Sequence, residues 1–105
     1  MSARSRRLVF TSNARSDIRN VLVFTEQQWG KPQRRTYERL ISESIAKIAR
    51  FPHLGRFRPE YGPDFQSLRV RQHVIVYQVT DTKISIIRDL HIRRDADGAF
   101  EVESS

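Results

Sequence analysis

The sequence predicts an α+β domain of order β-α-α-β-β-β, in which a short strand and an antiparallel helical hairpin pack on one face of a twisted antiparallel sheet. Two observations lead to this prediction. The first half of the chain has two consecutive stretches with apolar residues at helical spacing. The second half has three stretches in which apolar and polar residues alternate, as in strands. A chain of 105 residues fits one domain, so the two halves are expected to share one core.

The two helices are defined by their apolar stripes and by the break between them. We predict a first helix over residues 14–29, with Asn13 as its N-cap. Its apolar stripe ends at Trp29, which we expect in the core or at the edge of the core. The sequence Gly30-Lys31-Pro32 ends this helix and suits the first turn of a second helix, which reaches about Arg50. So short a connection makes the pair an antiparallel hairpin.

Strands are predicted on both sides of the hairpin. A short strand at Val9-Phe10 precedes it, and the proline- and glycine-rich residues 51–64 form an irregular segment after it. The three later strands are predicted at residues 67–71, 74–80 and 83–92. The region from residue 1 to residue 105 is read as one domain, with a basic tail at about 1–7 and a C-terminal tail at about 96–105.

The charge of the chain indicates an anionic partner. Its formal net charge is +7, and all but three of its nineteen basic residues are arginine. The planar guanidinium of arginine matches the geometry of carboxylates and phosphates. The partner would be a nucleic acid or an acidic protein segment, and the alternative is a solvated basic surface.

Several classes of protein are disfavoured by composition. The chain has no cysteine, and therefore no disulfide or thiolate chemistry. No apolar run reaches the roughly 18 residues of a membrane span. The basic N-terminus is followed by only Leu8-Val9-Phe10, too short an apolar run for a signal peptide. We therefore expect a cytoplasmic protein that does not act in a membrane.

The last predicted strand ends in a basic run. Strict alternation divides this strand into two faces. One face carries Ile84, Ile86, Leu90 and Ile92 together with Arg88. The other face carries Ile87, Asp89, His91 and Arg93. His91 is the candidate for a titrating catalytic group, because histidine changes charge near neutral pH. The alternative is that His91 packs at the strand end against a carboxylate such as Asp89.

A second basic group is predicted beside this strand. Arg56 and Arg58 follow Gly55 on a loop, and Arg69 and Arg71 lie two apart, so they share a strand face opposite Leu68 and Val70. The four guanidinium groups converge if loop and strand are adjacent; otherwise they form a solvated strand face. We find no His/Asp/Glu spacing typical of a metal site and no glycine-rich phosphate loop, so no metal or cofactor is expected.

The order and spacing of several short sequences resemble the RelE/ParE superfamily of type II toxin–antitoxin toxins, over about residues 9–95. The resemblance starts with Ala14 and Asp17-Ile18 in the first helix and with Trp29-Gly30 at its end, and continues through Tyr37 and residues 40–48 of the second helix. Its later parts are Phe51-Pro52-His53-Leu54-Gly55-Arg56, Leu68-Arg69-Val70, Val74-Ile75-Val76-Tyr77-Gln78-Val79 and Leu90-His91-Ile92-Arg93-Arg94-Asp95.

The resemblance implies a growth-inhibiting toxin that a cognate antitoxin neutralises in a hetero-oligomeric complex. The Pro-x-x-Gly-Arg and Leu-His-x-Arg-Arg-Asp sequences are closer to the ParE branch, whose members act on DNA gyrase. The RelE-like branch cleaves mRNA in the ribosome with basic residues and a tyrosine or histidine. A ribonuclease of that kind would use His91 together with Arg56, Arg58, Arg69 and Arg88. A third possibility is a non-toxic homologue that only binds an antitoxin.

Two departures disfavour mRNA cleavage, so whether the chain is an enzyme stays open, with binding preferred. Ile92 follows His91 where such ribonucleases often have an aromatic residue, and Tyr77 alternates in phase with core residues. A binding protein needs only the cations. For that role we predict target or anion contacts at Arg56, Arg58, Arg69, Arg71, Arg88 and Arg93.

Overall fold

The computed structural model describes residues 6–92. The strands and helices follow the predicted order, with one additional short strand. They are β1 (Arg7–Phe10), α1 (Ser12–Trp29), α2 (Lys31–Arg50), β2 (Arg56–Phe57), β3 (Phe65–Val70), β4 (His73–Val79) and β5 (Lys83–His91). Short 3₁₀ turns at Pro52–Leu54 and Pro59–Tyr61 flank β2.

The five strands form one sheet in the order β1-β5-β4-β3-β2. The pairs β2–β3, β3–β4 and β4–β5 are antiparallel, whereas β1 runs parallel to β5. The predicted α+β class is confirmed. The sheet is mixed because the hairpin lies between β1 and the rest of the sheet in sequence, and a long connection of this kind can return the chain for a parallel pairing.

The first helix begins earlier than predicted. Its N-cap is Thr11, whose hydroxyl accepts a hydrogen bond from Ala14 N at 3.0 Å. The same hydroxyl donates to the carbonyl of Ile87 on β5 at 2.8 Å. The prediction of Asn13 as N-cap is therefore wrong, and the cap also ties the start of α1 to the sheet. A local pattern does not reveal this second role of Thr11.

The core lies between the helical hairpin and one face of the sheet. Ala14 of α1 and Ile48 of α2 are fully buried there. The strand residues that pack with them are Val70, Ile75, Tyr77, Val79, Ile84 and Ile86. The expected burial of Tyr77 is confirmed, but Trp29 is 71% exposed, contrary to the prediction. Trp29 is the last residue of α1, and Gly30, with a φ of 90°, turns the chain away immediately after it.

A β-bulge interrupts the pairing of β4 with β5. Tyr77 pairs with Ile86, but the preceding residue, Val76, pairs with Arg88. Tyr77 and Val76 are consecutive in β4, but their partners Ile86 and Arg88 are separated by Ile87. Ile87 is therefore an extra residue in β5. An extra residue changes the alternation of side chains between the two faces of a strand.

The bulge moves the end of β5 to the opposite phase. Beyond it, Asp89 pairs with Ile75 and His91 pairs with His73, so both lie on the face that the helices cover. Arg88, which pairs in register with Val76, belongs to the other face. The assignment of faces by strict alternation is consequently wrong beyond Ile86.

Candidate functional site

Arginine side chains line a groove on the sheet face opposite the helices. Its volume is about 350 Å³. We call it the arginine groove, and its lining residues are Arg56, Arg58, Ser67, Arg69, Val74 and Ile92. Three of the predicted anion contacts are thus brought together, from β2, from the loop after it and from β3.

Strand register places two of these arginines on the same face. Arg56 of β2 pairs with Ser67 of β3, and Arg69 of β3 pairs with Val74 of β4. Paired residues point to the same side of a sheet, as do residues two apart on one strand. Leu68, between Ser67 and Arg69, points to the other side and packs on the core. The short strand β2, which local patterns did not predict, therefore brings Arg56 to the groove.

Arg58 is held in place by its neighbours. Its guanidinium donates to Glu60 Oε2 at 2.8 Å, to Ser67 Oγ at 3.1 Å and to Tyr61 Oη at 3.0 Å. The hydrogen bond from Arg58 lowers the pKa of the Glu60 carboxyl below its ordinary value. Arg58 also lies over the Tyr61 ring, with Cζ 4.9 Å from the ring centroid. These contacts fix the Arg58 side chain in the groove wall, and Glu60 partly neutralises its charge.

Arg56 and Arg69 present their charge differently. The Arg56 side chain makes no hydrogen bond or close ion pair within residues 6–92, although its charge helps to lower the pKa of the Glu60 carboxyl. Arg69 donates from Nε to the carbonyl of Arg71 at 2.8 Å, a bond that does not use its two terminal nitrogens.

Arg71 lies outside the strand. β3 ends at Val70, and Arg71 has a φ of 58° in the turn that follows. The prediction that Arg69 and Arg71 share a strand face is therefore wrong, and Arg71 does not line the groove.

The groove's edge is positioned by a buried tyrosine. Tyr77 Oη accepts a hydrogen bond from Gly55 N at 2.8 Å and donates to the carbonyl of Pro52 at 2.9 Å. Burial of the Tyr77 phenol raises its pKa, and the hydrogen bond from Gly55 opposes this rise. A Cβ at Gly55 would lie 2.7 Å from the carbonyl oxygen of Ser67 and against the Tyr77 hydroxyl. The glycine before Arg56 is thus explained by close approach, since its φ is an ordinary −77°.

Arg88 does not contribute to the groove. Its Nε donates to Asp17 Oδ2 at 2.7 Å and its Nη2 to Asp17 Oδ1 at 3.2 Å. Asp17 Oδ2 also accepts a bond from Asp89 N at 3.0 Å. Because β1 ends opposite Ile86, this part of β5 has no neighbouring strand on that side. The Asp17 carboxylate accepts the hydrogen bond of the backbone N–H of Asp89, which a neighbouring strand would otherwise accept. Arg88 therefore joins α1 to the sheet.

His91 lies in a separate pocket on the helix side of the sheet. We call it the histidine pocket; its volume is about 320 Å³, and aromatic and imidazole rings form much of its wall. Those rings are Phe24, Trp29, Tyr37, His73 and His91. The centroids of the His73 and His91 rings are 5.0 Å apart, and His73 is also edge-on to Tyr37 at 5.7 Å.

A buried carboxylate lies beside the histidine pair. Asp89 Oδ1 is 3.5 Å from His73 Nδ1, and both residues are buried. Neither oxygen of Asp89 nor Nδ1 of His73 forms a hydrogen bond, and 3.5 Å is long for a bond between them. The sequence interpretation overlooked His73, which has no patterned neighbours in its own strand. The pairing of the two histidines depends on the bulge.

The predicted ribonuclease residues are therefore divided among three places. Arg56, Arg58 and Arg69 line the groove, Arg88 binds Asp17, and His91 lies in the pocket on the opposite face. Arg93 lies outside the described residues. Within residues 6–92, no cluster of three or more histidine or acidic residues could hold a metal ion. The two helices of this range are also not apolar enough to cross a membrane.

Exposed apolar side chains form two groups beside these sites. On α1 they are Val23, Phe24 and Trp29, of which Phe24 and Trp29 line the histidine pocket. After α2, near the edge strand β2, are Phe51, Leu54 and Phe57. Exposed aromatic residues of this kind are enriched at protein–protein contacts, so both groups are candidate partner surfaces.

The helical hairpin on one face of the sheet is the architecture that the resemblance to RelE/ParE toxins implies, and the other face carries the arginine groove. The model of the ParE toxin family of the type II toxin–antitoxin system parDE matches residues 8–96. Toxin ParE1 of Caulobacter vibrioides is 30% identical over 78 residues, which are 74% of this chain and 80% of that protein. The chain therefore belongs to the ParE family of type II toxins.

A solved structure agrees with the fold. The chromosomal ParDE TA system from P. aeruginosa contains a chain that superposes with a TM-score of 0.72. The match covers 85% of this chain and 98% of that chain, at 18% identity. At this identity the similarity supports the architecture and no finer property.

Proposed function

We propose that this ParE-family toxin stops growth by binding DNA gyrase and that a cognate antitoxin neutralises it. The separation of the arginine groove from the histidine pair carries the first part of this proposal. Cleavage of RNA through its 2′-hydroxyl needs proton transfer and phosphate-binding cations at the same phosphorus atom. The arginines of the groove and the His73–His91 pair lie on opposite sides of the sheet, whereas binding to an anionic protein surface requires only the cations.

The proposed gyrase contact is the arginine groove. Arg56 and Arg69 offer guanidinium groups that can bind carboxylates in a bidentate manner. Arg58 shapes the wall between them but is partly neutralised by Glu60. We therefore expect Arg56 and Arg69 to contribute more of the target affinity than Arg58, Arg71 or Arg88.

The proposed antitoxin is an acidic segment that reaches both faces of the domain. Its carboxylates would neutralise the groove, and its apolar side chains would cover the exposed Phe24 and Trp29 beside the histidine pocket. An extended or helical segment can combine these contacts because it folds along the surface as it binds. Toxin and antitoxin then form a hetero-oligomer in the cytoplasm.

Expression in a bacterial host, with growth and gyrase activity as readouts, tests the proposal. Wild type should arrest growth and inhibit supercoiling by purified gyrase. The double variant Arg56→Glu/Arg69→Glu should lose both effects. The control Arg35→Glu/Arg39→Glu makes the same change in net charge on exposed α2 residues and should retain them.

The histidine variant separates the two toxin mechanisms. Loss of a general acid or base typically lowers activity by about 10²–10⁴-fold, so a ribonuclease using His91 would be inactivated by His91→Ala. We expect this variant to remain toxic. Cuts in cellular mRNA that disappear with His91→Ala would contradict the gyrase proposal. Normal growth at high soluble expression of wild type would favour a homologue that only binds an antitoxin.

A further inference from the structure

Among the described residues, every polar side chain that lines the arginine groove is a hydrogen-bond donor, and no carboxylate lines it. Besides the three arginines, the polar lining is Ser67, which is 6% exposed. Its Oγ accepts a bond from Arg58 Nη1 at 3.1 Å, but within residues 6–92 its hydroxyl proton has no acceptor. A hydroxyl in this state can still donate to an anion. The groove is therefore a site for an oxyanion.

The spacing of the exposed cations suits more than one anion. Arg56 pairs with Ser67, and Arg69 lies two residues further along β3. Arg56 and Arg69 are therefore diagonal neighbours, with Cα atoms about 7–8 Å apart. Both are exposed, whereas Arg58 is part-buried in the groove wall and paired with Glu60. Two guanidinium groups at this separation can each bind an anion of their own.

Charge density favours duplex DNA over a protein segment as the source of these anions. Double-stranded DNA carries one negative charge per about 1.7 Å of helix axis. An extended peptide rises about 3.3 Å per residue and turns every second side chain toward one surface, so it offers at most one carboxylate per about 6.6 Å. Even an unbroken alternation of acidic residues thus presents about a quarter of the charge density of DNA.

The lining of the groove also favours backbone contacts with a duplex. Proteins that bind single strands stack the bases on aromatic side chains. Among the described residues, no aromatic ring lines the groove. Its apolar lining consists of Val74 and Ile92, which can pack against sugars. Contacts to phosphate and sugar position a protein on DNA without reading the sequence.

We propose that the arginine groove binds the phosphate backbone of double-stranded DNA, so that the toxin contacts the DNA that gyrase holds. The inference rests on the proposed role of the groove as the gyrase contact, and it specifies the anion at that contact. Arg56 and Arg69 bind phosphates, and the Ser67 hydroxyl donates to a phosphate oxygen between them. Arg58, held by Glu60, shapes the wall. The contact is independent of DNA sequence.

The test measures binding of a short fluorescein-labelled DNA duplex to the full chain by fluorescence anisotropy, at several salt concentrations between about 0.05 M and 0.2 M. The groove variant is Arg56→Gln/Arg69→Gln. The matched control, Arg35→Gln/Arg39→Gln, has the same net charge and changes exposed residues of α2. A second duplex of equal length and unrelated sequence reports sequence dependence. A labelled polyglutamate peptide reports binding of carboxylates.

The groove variant should bind both duplexes more weakly than the control does. Loss of two phosphate contacts reduces the slope of log affinity against log salt by about 1.8 and lowers affinity by about 10–100-fold at about 0.1 M salt. The single variant Arg56→Gln should show about half of the change in slope. Affinity for polyglutamate should fall by a smaller factor. Binding of DNA equal to that of the control, or an equal or larger loss of peptide binding, would overturn the inference.

Supercoiling by purified gyrase, measured with the same variants, separates this inference from the proposed function. The groove variant should lose inhibition of gyrase, and the control should retain it. Loss of inhibition together with control-like DNA binding would leave the gyrase proposal standing and overturn the assignment of DNA to the groove. Inhibition that persists in the groove variant would remove the groove from the gyrase contact, and both proposals would fail.

Discussion

Asp17 of α1 and Arg88 of β5 form an ion pair with an Nε–Oδ2 distance of 2.7 Å across 71 residues of sequence. The side chains are only 15% and 23% exposed, respectively. The same carboxylate accepts the backbone N–H of Asp89 at 3.0 Å, at the point where β1 no longer covers β5. The Asp17 carboxylate therefore accepts a backbone hydrogen bond that a neighbouring strand would otherwise accept. It also neutralises Arg88, which the sequence had suggested as a target contact.

Replacement of Asp17 should destabilise the fold. Asp17→Asn keeps the size of the side chain but removes the charge that binds Arg88, and we expect a loss of about 1–3 kcal/mol in the free energy of unfolding. Urea unfolding followed by circular dichroism measures this loss. Glu43→Gln is the control, because its contact with Arg39 is exposed and 4.0 Å long and should change stability by less than about 0.5 kcal/mol. Similar stability of the two variants would show that Asp17 is not structural.

Gly55 should not tolerate even one methyl group. In Gly55→Ala the new Cβ would meet the Ser67 carbonyl at 2.7 Å as well as the Tyr77 hydroxyl, so the turn that carries Arg56 must move. We expect a loss of about 1–3 kcal/mol in unfolding free energy. Gly30→Ala is the comparison: its φ of 90° is unfavourable for alanine, but the nearest atom, Pro32 Cδ, is 3.7 Å away. Thermal unfolding should rank Gly55→Ala as the less stable variant, and the reverse ranking would contradict the close-approach explanation.

The stability of the protein should fall in alkaline solution in a way that depends on Tyr77. Burial raises the pKa of Tyr77 in the folded state above its ordinary value of 10.0. A group of this kind stabilises the fold fully below the unfolded-state pKa of about 10, and this contribution is lost as pH rises through the higher folded-state pKa.

Urea unfolding between about pH 8 and pH 11 tests this dependence. Tyr77→Phe should be less stable than wild type by about 1–3 kcal/mol at neutral pH, because Gly55 N and the Pro52 carbonyl lose their partner. Its stability should also decline less steeply above pH 10. Tyr37→Phe serves as the control for general tyrosine ionisation and should retain the wild-type pH dependence. Parallel pH profiles for wild type and Tyr77→Phe would refute the prediction.

Association with the antitoxin should depend strongly on salt. If the arginine groove contacts acidic residues, the association rate should fall about tenfold as ionic strength rises from about 0.01 M to about 0.15 M, since the Debye length shortens from about 30 Å to about 8 Å. Stopped-flow fluorescence of Trp29, the chain's one tryptophan, can follow binding if the antitoxin covers it. An association rate that does not change with salt would show that the antitoxin binds elsewhere.

Much of the fold was predictable because it depends on local periodicity. Helical spacing located α1 and α2, and alternation located β3, β4 and β5 to within about two residues. The features that the sequence did not predict share a cause, because each depends on the surroundings of a residue in the folded chain. Thr11 caps α1 while bonding to β5, and β2 exists only because β3 is beside it. Trp29 follows the helical stripe, but as the last residue of α1 it lines the open histidine pocket and stays 71% exposed.

By itself, the sequence determined the α+β class, the order of the elements, the excess of arginine and the family to which the chain belongs. These follow from short-range patterns and composition. Only the tertiary structure decided which cations share a surface. The bulge at Ile87 turned His91 and Asp89 toward the helices, and Asp17 sequestered Arg88, leaving Arg56, Arg58 and Arg69 around one groove. The physical reason is that one extra residue reverses the facing of a strand, and that an ion pair depends on distance in space, which spacing along the chain does not give.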